Sequence, residues 1–204
     1  MSSREEILTA IRANRPRVDR PLPTVPLFDD PPPESLLAAF KESLLRMGGL
    51  FLEAPASGDL LAPVRQKIAD AKVVCSCVPE IAGNRNIERV QTPHELNDVD
   101  FAIVRAAFAV AETGSVLLDE RQLRVNAVAY LAQHLIVLLD PADIVINLHH
   151  AYRRPELREG HYASFHTGPS ATADIEGVLI HGAQGVRSLS VLPLGRTAVI
   201  GPNP

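Results

Sequence analysis

"HLIVLLDPADIVINLHHAYRRPELR", residues 134–158, decides the fold. His134 to Asp140 form a short, nearly continuous apolar run, the pattern of a strand buried on both faces. Pro141 then stands where the first turn of a helix tolerates it, and residues 141–158 read as that helix. A doubly buried strand feeding a helix is the unit of a parallel sheet, because parallel neighbours need a crossover between them.

The same alternation extends in both directions. Downstream, "HYASFHTG" (161–168) reads as a strand, residues 174–182 as a helix and "RSLSVLPLG" (187–195) as the last strand. Upstream, "ESLLAAFKESLLRMGG" (34–49) is an amphipathic helix stopped by Gly48 and Gly49, and "LFLEA" (50–54) is a buried strand. "SGDLLAPVRQKIADA" (57–71) is a helix and "KVVCSCV" (72–78) a strand, while "QTPHELNDV" (91–99) is a turn with a brief helix. "DFAIVRAAFAVAETGSVLLDE" (100–120) holds apolar runs interrupted at Glu112, Thr113 and Gly114. Together these predict an α/β fold with a largely parallel sheet covered on both faces.

Ahead of this lies a different composition. Ser3 and Glu6 have capping-box spacing before Ile7, Leu8 and Ile11, so a short helix is expected to about Asn14. Residues 15–33 contain seven prolines, which excludes helix and predicts an extended arm. The expected organisation is a helix and proline-rich arm over residues 1–33 and an α/β domain over 34–204.

Composition narrows the function. A net charge of -4, with the basic residues scattered, gives no footprint for nucleic acid. No apolar stretch approaches the roughly 20 residues of a membrane span, and the charged N-terminus does not read as a secretory signal. A cytoplasmic protein that binds neither membrane nor nucleic acid is expected. The two cysteines, Cys75 and Cys77, are too few for the four ligands of an iron–sulfur cluster, and their spacing makes a mutual disulfide awkward. His149 and His150, or His161 and His166, lack metal-ligand spacing, so no metal is expected either.

Chemistry is concentrated in two stretches. In "TGPSATADIEGVLIHGAQG" (167–185) neither a phosphate loop nor a dinucleotide fingerprint is present, and Thr172 replaces the second glycine of a nucleophile elbow begun by Gly168 and Ser170. What remains is a predicted helix start at a strand's end, with Pro169 pushing Gly168 to an extended conformation. Ser170, Thr172, Asp174 and Glu176 are then placed to line a cleft. On a helix Asp174 and Glu176 would lie about 200° apart, so they are not a pair acting on one atom. In "AVAETGSVLL" (109–118) Glu112 is the one charge in a long apolar context and must find a partner or a cleft, with Thr113 and Gly114 forming the turn beside it.

With both stretches in view, the chain resembles the LUD-domain family from roughly residue 35 to the end. The second stretch carries Gly168, Pro169, Ser170, Thr172, Asp174, Ile175 and Glu176 in the family's order. It departs from the family at residues 182–186, where Gly-Ala-Gln-Gly-Val replaces Gly-x-His-Gly-Pro. The resemblance implies a three-layer α/β/α sandwich related to the NagB/RpiA/CoA-transferase-like folds. It further implies membership of a multi-protein system oxidising L-lactate to pyruvate, with iron–sulfur clusters in partner proteins and no cofactor in this chain. In that role Glu112, Thr113, Gly114, Gly168, Ser170, Thr172, Asp174 and Glu176 would surround a small carboxylate such as lactate or pyruvate. The alternative is a free-standing enzyme on an anionic metabolite, of the 5-formyltetrahydrofolate cyclo-ligase or acyl-transfer kind.

Overall fold

A computed structural model describes residues 2–16, 20–28, 31–174 and 176–196. In chain order the elements are α1 (Ser3–Asn14), α2 (Leu36–Arg46), β1 (Leu50–Phe51), α3 (Ala62–Ile68), β2 (Val74–Ser76), β3 (Phe101–Arg105), β4 (Phe108–Val110) and β5 (Ser115–Asp119). There follow α4 (Glu120–Leu123), α5 (Val128–Leu131), β6 (His134–Leu139), β7 (Ile144–Val145), α6 (Leu148–Ala151), α7 (Glu156–Glu159), β8 (Ala163–His166), β9 (Ala171–Thr172), β10 (Ile180–His181) and β11 (Ser188–Pro193).

The central sheet has five strands in the order β1-β11-β6-β3-β2, every pairing parallel. The expected α/β fold with a mostly parallel sheet is therefore what the chain adopts. Side chains alternate across the strands. Ile103, Ile136, Leu138 and Leu192 face Leu61 and Val64 of the α3 region, while Ala102, Val104, Leu135, Val137, Leu189 and Val191 face α2, α5 and a second sheet. That second sheet, β7-β4-β5-β8, was not anticipated; only β7 with β4 is parallel, the other pairings being antiparallel. Its outer face packs Phe108, Val110 and Leu117 against Ala151, Leu148 and Leu157 of α6 and α7.

The stretch 134–158 explains how the chain moves between sheets. β6 forms as expected, but no helix runs from Pro141. Residues Pro141–Asp143 make a single 3-10 turn capped by the Asp140 carboxylate, which accepts from Ala142 N at 3.0 Å. Ile144, Val145 and Ile146 follow as consecutive β-branched residues, which favours extended backbone, and β7 pairs with β4. Asn147 then caps α6 by accepting from His150 N at 3.1 Å. Between β3 and β4 the pair Ala106–Ala107 makes the equivalent transfer, so the apolar run from residue 101 holds two strands belonging to different sheets.

Two further expectations are corrected. The described residues of 174–182 are not helical: β9 and β10 pair antiparallel through Thr172↔Ile180 and Ala171↔His181, and the chain reverses with Glu176 and Gly177 at φ +54 and +69. The capping box of α1 lies one residue earlier than its spacing suggested, with Ser2 and Glu5 each accepting from the other's backbone N–H. Among the described residues no helix is long and apolar enough to cross a membrane.

Candidate active-site cleft

Two adjoining clefts, of 270 and 380 Å³, share Ser43, Arg46 and Glu112. Their position follows from the second sheet. Ala111 and Glu112 leave the carboxyl end of β4, Ile146 and Asn147 that of β7, and Thr167 that of β8. Strand ends with loops leading into helices are where α/β proteins collect ligands. The opposite wall is the last turn of α2, supplying Ser43, Arg46 and Met47.

Two glycines allow these walls to meet. Gly114 has φ +68, and a Cβ there would stand 2.3 Å from Leu44 N on α2. Gly168 has φ +64, and its Cβ would stand 2.2 Å from the Met47 carbonyl oxygen. Both motif glycines therefore seat their loops against the end of α2, and Gly168 is left-handed rather than extended, because the close approach, not Pro169, sets its φ.

The polar part of the lining consists of hydroxyls, Asn147, the Arg46 guanidinium and the carboxylates of Glu42 and Glu112. Arg46 Nη2 donates to Ser43 Oγ at 3.1 Å, and Ser43 Oγ donates to the Glu112 carbonyl at 3.1 Å. Thr113 Oγ1 donates to Ser115 Oγ at 2.7 Å, and Ser115 in turn is hydrogen-bonded to the Thr167 hydroxyl. Glu112 is exposed, yet its carboxylate has a partner, accepting from Leu148 N at 3.1 Å. Arg46 also lies 3.9 Å from the Glu42 carboxylate, and its side chain is 66% exposed. The arm closes one side: Asn147 Nδ2 donates to the carbonyls of Leu27 and Phe28 at 2.6 and 3.0 Å, placing Phe28, Pro31 and Pro33 along the rim.

Of the residues singled out in the sequence, Glu112 and Thr113 line the cleft and Gly114 and Gly168 shape it. Ser170 serves the hairpin instead: its hydroxyl donates to the Ala183 carbonyl at 2.6 Å, and its backbone pairs with Val186 and Gly182. Thr172 Oγ1 accepts from Asp174 N at 3.3 Å, and Asp174 and Glu176 sit exposed on the hairpin turn, lining neither cleft. Among the described residues the predicted helix start at 174 is replaced by this turn. Sequence reasoning missed Ser43, Arg46, Ser115, Asn147 and Thr167. Ser43 did carry a signal, being a polar residue three positions after Phe40 and one before Leu44 on the buried stripe of α2.

Cys75 is buried and Cys77 half-buried, both are free thiols, and Cys77 Sγ donates to the Leu123 carbonyl at 3.5 Å. The proximity of the two thiols draws Cys75 down and, together with burial, pushes the Cys77 thiol up. Among the described residues no group of three or more His, Cys, Asp or Glu is arranged to hold a metal ion.

Fold and cleft together define a mostly parallel α/β protein with an arginine-and-hydroxyl cleft at the carboxyl ends of the strands of its second sheet. Residues 66–192 match the LUD domain, and the chain belongs to the LUD-domain family. It is 27% identical over 200 residues, 91% of each chain, to a protein of Deinococcus radiodurans called lactate utilization protein C. A crystal structure of a DUF162 family protein from Deinococcus radiodurans shares the fold, with a TM-score of 0.61 and 20% identity over 78% of this chain and 96% of that one.

Proposed function

We propose that the protein serves an L-lactate utilization system as its cluster-free subunit, holding a small carboxylate such as lactate or pyruvate in the cleft beneath Arg46. The observation that carries this reading is the exposed Arg46 guanidinium, bonded through Nη2 to Ser43, beside the hydroxyls of Thr113, Ser115 and Thr167. A guanidinium can grip a carboxylate through two parallel N–H donors, and hydroxyls suit the carbonyl or hydroxyl beside it. Glu112 would not repel such an anion strongly, its carboxylate being turned to Leu148 N. Family membership and the name of the Deinococcus relative support the pathway.

In this reading the oxidation passes its electrons to clusters held by cytoplasmic partner proteins, for which two free thiols are no substitute. Binding of L-lactate and pyruvate is measured by calorimetry on the full chain. Arg46→Gln is expected to weaken it at least about tenfold, the loss of a charge-assisted pair. Growth on L-lactate that survives deletion of the chain, with no second copy present, would overturn the pathway. A large thermal shift with ATP and a folate, lost in Glu112→Gln, would instead favour the free-standing enzyme.

A further inference from the structure

A different cleft, of 350 Å³, opens at one end of the central parallel sheet and shares no lining residue with the one above. Phe101 and His134 begin β3 and β6, and Arg187 immediately precedes β11, so this is the amino-terminal end. Lys67 from the last turn of α3 and Lys72 from the turn before β2 complete a cationic lining. Among the described residues none of these three cations makes an ion pair. The Arg187 stem lies across Gly182, where even a Cβ would come within 2.8 Å of Arg187 Cγ, and this close seat limits where the guanidinium can go.

Asp70 and Asp100 also reach the cleft. Asp100 is already engaged: Oδ2 accepts from Lys72 N at 2.8 Å and Val73 N at 2.9 Å, and these amides hold its carboxyl below the usual range. Asp70 is exposed. The floor is the His134 ring stacked on Phe101 at 4.8 Å, with His134 Nδ1 hydrogen-bonded to Ser188 Oγ at 2.8 Å. Burial first, then Lys67 and Arg187, push the His134 imidazole below its ordinary value, with Asp100 opposing them. Among its charged neighbours, Lys67 and Arg187 therefore outweigh Asp100 at the ring.

We propose that this cleft binds the phosphate group of a small metabolite between Lys67, Lys72 and Arg187, over the His134–Phe101 stack. Three cations lining one cleft against two carboxylates, none of the three in an ion pair among the described residues, exceed what one carboxylate needs and match a phosphate, which carries more charge and more acceptor oxygens. When Nδ1 accepts from the Ser188 hydroxyl, the imidazole proton sits on Nε2 and adds a neutral donor. Nothing in this assignment depends on what the Arg46 cleft holds.

The test is a set of thermal melts and calorimetric titrations of the full chain with inorganic phosphate, adenosine monophosphate and adenosine, against chloride at matched ionic strength. Phosphate is expected to raise the melting temperature beyond chloride. Lys72→Gln and Arg187→Gln, both at exposed positions, should each weaken phosphate binding about tenfold while their unliganded melts stay put. Lys67→Gln is the reserve if either fails to fold. By NMR the His134 imidazole should titrate at higher pH with phosphate bound, because the anion offsets Lys67 and Arg187. Equal affinity for phosphate and adenosine monophosphate would identify the free anion as the ligand. Tighter binding of the nucleotide, with adenosine silent, would identify a nucleotide's phosphate. No response beyond chloride from either phosphate compound, or binding unchanged in the variants, would overturn the proposal.

Discussion

His166 shows how one residue can couple the fold to pH. It closes β8 beside the cleft, its ring lies 5.2 Å from that of Tyr130, and its buried Nε2 has no hydrogen-bond partner among the described residues. Burial pushes its imidazole down from 6.5 to about 4. The unfolded chain therefore takes up a proton at a higher pH than the folded one, so stability is complete above about 6.5 and declines as pH falls toward about 4. The loss attributable to this residue is roughly 3 kcal/mol across that window. Denaturant melts of the wild type and His166→Phe across it should diverge by that order, the variant being the flatter. Equal slopes would remove His166 as the cause. The motif glycines make a second prediction at this scale. Gly114→Ala and Gly168→Ala both force a Cβ into α2 backbone, at 2.3 Å from Leu44 N and 2.2 Å from Met47 O. Each should cost on the order of 3 kcal/mol, read from a denaturant midpoint, from strain at positive φ together with overpacking.

Among the elements, the strands of the central sheet were readable because their apolar runs are long and buried on both faces, as His134–Leu139 and Ser188–Pro193 show. The hairpin β9–β10 was not. Val178 and Leu179 fall at helical spacing, yet they are 60% and 59% exposed, so no surface receives the stripe that periodicity implied. A helix draws most of its stability from such a surface, and without one the local turn at Glu176–Gly177 prevails. The second sheet escaped notice for a related reason: β7 is two residues long, too short to show any period. The cleft was half legible, Glu112 and Thr113 from their setting, but Arg46 and Asn147 arrive from elements distant in sequence. Asn147 is the joint between arm and cleft, 4% exposed and bonded to Leu27, Phe28 and His150. Asn147→Ala should cost about 2 kcal/mol of stability and speed proteolysis within residues 20–28. Unchanged cleavage there would mean the arm is held by other contacts.

At the scale of the molecule, α1 stands apart: it buries none of its residues, and Ile7 and Ile11 remain exposed. Removing residues 2–16 should leave the melting temperature of the remainder within about 2 °C, since no core area is lost. A larger fall would reveal packing of α1 against the domain. The rest of the chain is one interwoven unit, crossing from the central sheet to the second after β3, returning at β6 and leaving again at β7. β11 lies inside the central sheet, paired with β6 on one side and with β1 on the other, as in Leu50↔Ser190. On the ribosome, β1 is made early and waits for a neighbour encoded about 140 residues later. Until residues 188–193 emerge, β6 has one bare edge and β1 no partner in the sheet. Chains interrupted in translation before that point would leave the exit tunnel with their apolar strands open to association.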